Sequence, residues 1–201
     1  LFSKGHGGVY CGDNLITDVR NRQEYQELWR TASDNGLVRS RQTMPNLDLP
    51  ILVVDDAKFS SMVVGRTLRN AGYRDIRIAN NAPAALKLME QRPVSVLIAD
   101  WLMPEMDGLQ LTDQVRQQDE QNNHYTYVIL LTARESVEAL SEAFDRGVDD
   151  FIYKSDMTKQ LIPRIFAADR MADRQNTLLR ANALLVENNR ELESSNIIDL
   201  E

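Results

Sequence analysis

Asp55, Asp56, Asp100, Thr132 and Lys154 each stand at or just past the end of a short apolar run. Taken one at a time they have modest explanations. An aspartate after a strand holds a turn or caps a helix, a threonine caps the next helix, and a lysine is commonly a solvated charge. Taken together they suggest a single chemistry. Three carboxylates brought close repel one another unless a cation neutralises them. An all-oxygen set suits Mg²⁺, which keeps several waters and takes one or two carboxylates from a protein. A lysine and a hydroxyl beside such an ion suit a phosphoryl group, the lysine as a point charge and the threonine as a donor to one oxygen. One carboxylate can then act as a nucleophile and form an acyl phosphate.

Such a constellation needs strands that end side by side. Ile51 to Val54, Asp75 to Ala79, Val94 to Ala99, Tyr127 to Leu131 and Asp150 to Tyr153 read as buried strands. Between them, Phe59 to Ala71, Ala82 to Gln91, Leu109 to Gln118 and Glu135 to Phe144 carry apolar residues at helical spacing, with Gly72 and Gly147 as stops. Alternation of buried strands with helices predicts an α/β domain, a doubly wound five-stranded parallel sheet covered on both faces. In an open parallel sheet ligands bind beyond the carboxyl ends of the strands, where the five residues would lie. The polar stretch Gln117 to Thr126 reads as a surface loop inserted before the fourth strand.

The 201 residues are 43% hydrophobic, enough for a core, and the net charge of −7 argues against direct nucleic-acid binding. A single cysteine, Cys11, excludes an internal disulfide and a cysteine-rich zinc site, and His6 and His124 are too few for a histidine-based metal centre. No run approaches the roughly 18 apolar residues of a membrane helix, so no membrane segment is expected.

Residues 1–49 read as an N-terminal extension or the tail of a preceding domain. Gly5, Gly7, Gly8 and Gly12 make the start loop-like, Asp18 to Ala32 fits a helix, and Arg39 to Pro50 reads as a linker. Residues 50–156 are the α/β domain. Residues 157–201 read as its last helix continuing as a coiled coil. Met171, Leu178, Leu185 and Leu192 repeat every seven residues, with Gln175, Asn182, Asn189 and Asn196 in the same period. That is a seam with leucines at d and amides at a, a pattern that fixes register and favours a defined dimer. The plainer alternative is an amphipathic helix lying on its own domain. The chain opens on Leu1 and stops just past the heptads, which reads as a fragment whose output domain lies beyond.

Leu52-Val53-Val54-Asp55-Asp56, then Asp100-Trp101-Leu102-Met103-Pro104-Glu105-Met106-Asp107-Gly108, then Leu131-Thr132-Ala133 and Tyr153-Lys154 resemble the receiver domain of two-component response regulators. The likeness spans about residues 50–156, and single-domain chemotaxis receivers share a similar Asp-Trp-x-Met-Pro-x-Met-Asp-Gly run. It implies a flavodoxin-like sheet in the order 2-1-3-4-5 and a cytoplasmic protein. It implies that Asp100 accepts phosphate from a histidine kinase or phosphotransfer protein. Asp55, Asp56, Asp100 and the backbone carbonyl of Leu102 would then hold Mg²⁺, with Lys154 on the phosphoryl oxygens. Thr132 and Phe151 become the switch pair, and Pro104 and Gly108 shape the loop after Asp100. Two departures stand out: Ser155 follows Lys154 where the family usually has proline, and Leu102 offers no group to orient an attacking water.

These readings combine into a phosphorylation-controlled receiver that changes pairing of two chains and passes the change along the seam of Met171, Leu178, Asn182, Leu185, Asn189 and Leu192. Ile198-Asp199-Leu200 is similar to the start of diguanylate cyclase domains, which makes that the expected output, with a phosphatase or kinase output as runner-up. The receiver itself would only accept and lose phosphate. Another class, an Mg²⁺-dependent phosphatase of the aspartyl-phosphate type, uses the same residue types. It usually has a second aspartate two residues after the nucleophile, where this chain has Leu102.

Overall fold

The computed structural model describes residues 8–11, 14–17, 45–133 and 136–198. Among these residues seven strands and five helices follow in the order β1 (Gly8–Cys11), β2 (Asn14–Thr17), β3 (Ile51–Val54), α1 (Lys58–Asn70), β4 (Ile76–Ala79), α2 (Ala82–Gln91), β5 (Val96–Asp100), α3 (Gly108–Asn122), β6 (Tyr127–Thr132), α4 (Val137–Asp145), β7 (Asp150–Tyr153) and α5 (Met157–Ile198).

Strands β3 to β7 form one parallel sheet in the order β4-β3-β5-β6-β7, which is 2-1-3-4-5 within the domain. The apolar runs are continuous because helices cover both faces. Side chains alternate across the sheet with the period of the pleat. Leu52, Val54, Leu97, Ala99, Val128 and Leu130 meet α2, α3 and α4 through Ala85, Met89, Leu109, Leu111, Val115 and Ala143. Ile51, Val53, Val96, Ile98, Ile129, Leu131 and Ile152 meet α1 and α5 through Val64, Leu68, Leu161, Ile165 and Ala168. Local signals agree with the global arrangement. Asn81 caps α2 by accepting from the Ala84 N–H, and Asp107 and Gln110 close a capping box on α3.

Three sequence expectations need correction or extension. Gln117 to Thr126 is not an inserted surface loop: α3 runs on to Asn122, and Asp119 and Thr126 are buried. The glycine-bearing start is not all loop, since Gly8–Cys11 pairs antiparallel with Asn14–Thr17. Runs of four residues beside glycines are too short to stand out from loop in the sequence. The end of the expected linker is fitted to the domain. Leu49 is buried, the Arg74 N–H donates to the Leu47 carbonyl, and the Asn46 N–H donates to Asp169 Oδ2 at 3.1 Å. The helix expected at Asp18 to Ala32 lies outside the described residues.

Buried polar groups gather at the N-terminal end of the sheet, and Arg116 of α3 organises them. Its guanidinium donates to Asp119 Oδ2 at 3.0 Å, to Asp149 Oδ2 at 2.7 Å, and to the carbonyls of Thr126 and Gly147. It also lies 5.1 Å from the ring centre of Tyr125, whose hydroxyl donates to Asp149. Asp119 accepts further bonds from the Thr126 N–H and hydroxyl, both at 2.8 Å.

The same corner holds α5 as it leaves the domain. Asn176 accepts from the Tyr125 N–H and donates to the Tyr125 carbonyl, each at 2.9 Å. Ala172 is the last buried residue of α5 among those described, and the residues from Arg180 to Leu192 are all exposed. Pro163 is carried inside the helix as its seventh residue.

Candidate functional site

The site lies at the opposite end of the sheet. Register brings Val54 of β3 beside Ala99 of β5, so the acids that follow meet beyond the strand ends. Asp55 and Asp100 are buried and Asp56 is exposed. One carboxylate oxygen from each of the three lies within 4.8 Å of the others. Asp55 Oδ1 accepts the Ala57 N–H at 2.8 Å, whereas Asp55 Oδ2 is buried with no hydrogen-bond partner. Buried carboxylate oxygens are nearly always satisfied, so this one points to a ligand.

Lys154 reaches in from the end of β7, its Nζ 2.7 Å from Asp100 Oδ2. It is placed there by the bond from its own N–H to the Thr132 carbonyl at 2.9 Å. The path onward departs little from a tight turn despite Ser155: the Asp156 N–H closes on the Tyr153 carbonyl at 2.9 Å and α5 begins at Met157. Burial pushes the Asp100 carboxyl above the ordinary carboxylate range, Asp55 adds to that, and the hydrogen bond and charge of Lys154 oppose it. Three formal negative charges against one positive leave two, the charge a divalent cation cancels. Oxygen donors, close spacing and an orphaned buried oxygen all fit such an ion.

The loop after Asp100 is shaped tightly. The Leu102 N–H approaches Asp100 Oδ1 at 3.4 Å, and the Leu102 side chain is exposed. Glu105 adopts a left-handed φ of 67°. A Cβ on Gly108 would come within 2.6 Å of the Asp100 carbonyl, so only glycine allows α3 to start so close to the strand end.

Thr132 ends β6, fully buried and one strand over from Asp100. Phe151 is placed on β7, half-buried, between the rings of Phe144 at 5.7 Å and Tyr153 at 5.6 Å. The expected acid, hydroxyl and lysine positions thus converge, and Phe151 lies on the side that faces α4. The site opens outward into a cleft of about 570 Å³ that starts at Asp55 and Asp56 and passes Lys58, Ile78, Lys87 and Leu88. Sequence reasoning did not find Arg116 or Asn176, which carry the opposite corner. Arg116 and Asp119 stand three apart on a helix, a pairing signal, but nothing local reveals Asp149 as the third member.

The sequence profile of the response regulator receiver domain matches residues 51–166. Chemotaxis protein CheY-3 of Vibrio cholerae is 31% identical over 109 residues, which is 54% of this chain and 82% of that protein. Among solved structures, chemotaxis protein CheY4 of Vibrio cholerae superposes with a TM-score of 0.55 at 27% identity, covering 60% of this chain and 98% of that one. The receiver domain of the histidine kinase CKI1 from Arabidopsis thaliana, solved in complex with Mg²⁺, superposes with a TM-score of 0.52 at 26% identity, covering 58% of this chain and 91% of its own.

Proposed function

Because the chain belongs to the response regulator receiver family, we propose that Asp100 accepts a phosphoryl group from a histidine kinase or phosphotransfer protein and that α5 carries the resulting change onward. In this reading Asp55, Asp56, Asp100 and the Leu102 carbonyl hold Mg²⁺. The ion supplies positive charge against the phosphoryl oxygens. An Asp100 oxygen forms the new bond to phosphorus as the bond to the donor's imidazole nitrogen breaks, and that nitrogen keeps the electron pair. Lys154 leaves Asp100 for the incoming phosphoryl oxygens and steadies their charge. Such a transfer needs positioning and charge neutralisation more than covalent help.

The phosphoryl group offers the Thr132 hydroxyl a new acceptor. Movement of Thr132 makes room for Phe151 to turn inward, away from its present packing between Phe144 and Tyr153. A group that contacts two arrangements differently shifts the balance between them. The face of α4, β7 and α5 then pairs two chains, and the heptads from Met171 to Leu192 extend the pairing as a coiled coil. The expected output is a diguanylate cyclase domain, in a cytoplasmic protein. Among the described residues no helix is long and apolar enough to cross a membrane. The exposed, apolar Leu102 presents nothing to orient water, so the phosphoryl group outlasts seconds; decay within seconds counts against this.

One observation supports the reading above all: a buried aspartate within reach of two others and bonded to a lysine, beside a carboxylate oxygen that lacks a partner. The test is incubation with acetyl phosphate and Mg²⁺, followed by peptide mapping. One phosphoryl group on Asp100 is expected, absent with chelator. No modification of a folded protein in the presence of Mg²⁺ overturns the proposal. Continuous turnover of a small phosphate ester would favour the phosphatase instead.

A further inference from the structure

Building on the reading that α5 pairs with a second copy, we propose that the pairing is parallel and in register, and that its own amides keep it weak. The helix presents two different faces. Ala168, Ala172, Asn176 and Leu179 turn toward their own domain. The two alanines are buried, Asn176 grips the Tyr125 peptide, and the Leu179 carbonyl accepts from Asn123. About 100° around the axis, the step of one residue, runs a second stripe of Met171, Leu178, Leu185 and Leu192. These are 44%, 63%, 60% and 62% exposed, so the domain covers little of them.

Between these apolar layers stand Gln175, Asn182 and Asn189, all exposed. They decide the orientation of a partner. An amide enclosed in an apolar seam is costly unless another polar group meets it. In a parallel, in-register pair each a position faces its own counterpart, so Asn182 meets Asn182 and Asn189 meets Asn189 of the second copy. Each amide then has a donor and an acceptor at the same level. In an antiparallel pair a positions face d positions, and every asparagine would be enclosed against a leucine. A stagger of one heptad would keep amide on amide but leave a leucine layer without its match. The flanking positions raise no objection, since Ala181 and Val186 stand where like charges would repel.

The same amides set the strength. A single polar a position already lowers coiled-coil stability, and this seam has one in every heptad. The helices therefore associate near threshold, where a modest contribution from the receivers decides between one chain and two.

The test uses the whole chain with Cys11→Ser as background and one new cysteine at a time, Leu178→Cys or Leu192→Cys, oxidised with Mg²⁺ and beryllofluoride as phosphoryl mimic. Two distant positions are needed because an antiparallel pair can match a residue to itself only at its single crossing point. Efficient disulfide-linked homodimers of both variants are expected. A cross-link in only one, or preferential joining of position 178 to position 192 when the variants are mixed, overturns the parallel register. Light scattering separates pairing from orientation. A monomer under these conditions removes the pairing itself, whereas a dimer lacking both in-register disulfides removes only its orientation. Asn182→Ile should tighten association by about tenfold or more; unchanged or weaker association overturns the role given to the amides.

Discussion

The two ends of the parallel sheet treat buried charge in opposite ways. At the N-terminal end Asp119 and Asp149 share Arg116, and each of their oxygens accepts a bond from Arg116, Thr126, Tyr125 or the Val128 N–H. At the C-terminal end three carboxylates face one ammonium, and Asp55 Oδ2 has no partner. Burial alone does not separate them, since it raises the carboxyl of Asp119 as it does that of Asp100. What separates them is completeness. A satisfied cluster rigidifies the scaffold, whereas a cluster missing positive charge and a hydrogen bond is arranged for something that arrives from outside.

The strongest way to break this comparison is at Asp100. Asp100→Asn should abolish phosphoryl uptake outright while the circular dichroism spectrum stays that of the parent; uptake that persists would move the chemistry elsewhere. Next comes Arg116→Met, which strands Asp119 and Asp149. Breaking a buried pair on one side costs about 3–5 kcal/mol, and the partial exposure of Arg116 puts the expected loss near the lower figure. Urea unfolding measures it, and a loss below about 1 kcal/mol would make the two ends equivalent. Mg²⁺ at about a hundred times its Kd should stabilise the protein by about 2.7 kcal/mol, read as a rise in Tm, and Asp55→Asn should erase the gain.

The smallest effect sharpens the contrast through pH. The folded protein holds the Asp100 carboxyl above its ordinary range, so the associated stability is complete below that range and is lost as pH rises through the folded value. Without metal, Asp100→Asn should therefore be more stable than the parent at neutral pH, by less than Arg116→Met loses. The advantage should fade in acid, as paired unfolding curves across pH would show.

How far the sequence could be read depends on which interaction placed each residue. Asp55, Asp100, Thr132 and Lys154 were legible because a strand buried on both faces leaves a continuous apolar run, and the residue that follows is where the chemistry sits. Asp119 and Thr126 were not. They are buried by hydrogen bonds to each other and by the ion pair of Asp119 with Arg116, whose second acid, Asp149, lies 33 positions on, and a hydropathy pattern registers them as polar surface. Asn176 was silent for a related reason: its partner is a main-chain peptide, which has no signature in side-chain identity. The heptad of α5 was plain in the sequence, whereas the split between its domain-facing and outward stripes required the three-dimensional packing.

The grip of Asn176 on Tyr125 also has a mechanical meaning. From that fulcrum to Ile198 the helix continues for about 22 residues, a rigid arm of about 33 Å. A tilt of about 5° at the base, small enough for one loop to absorb, sweeps the tip through about 3 Å by the same helical rise. The fastening thus converts an angle at the edge of the receiver into a distance at the far end of the arm, and loosening it would blur the reading while leaving the acid cluster intact.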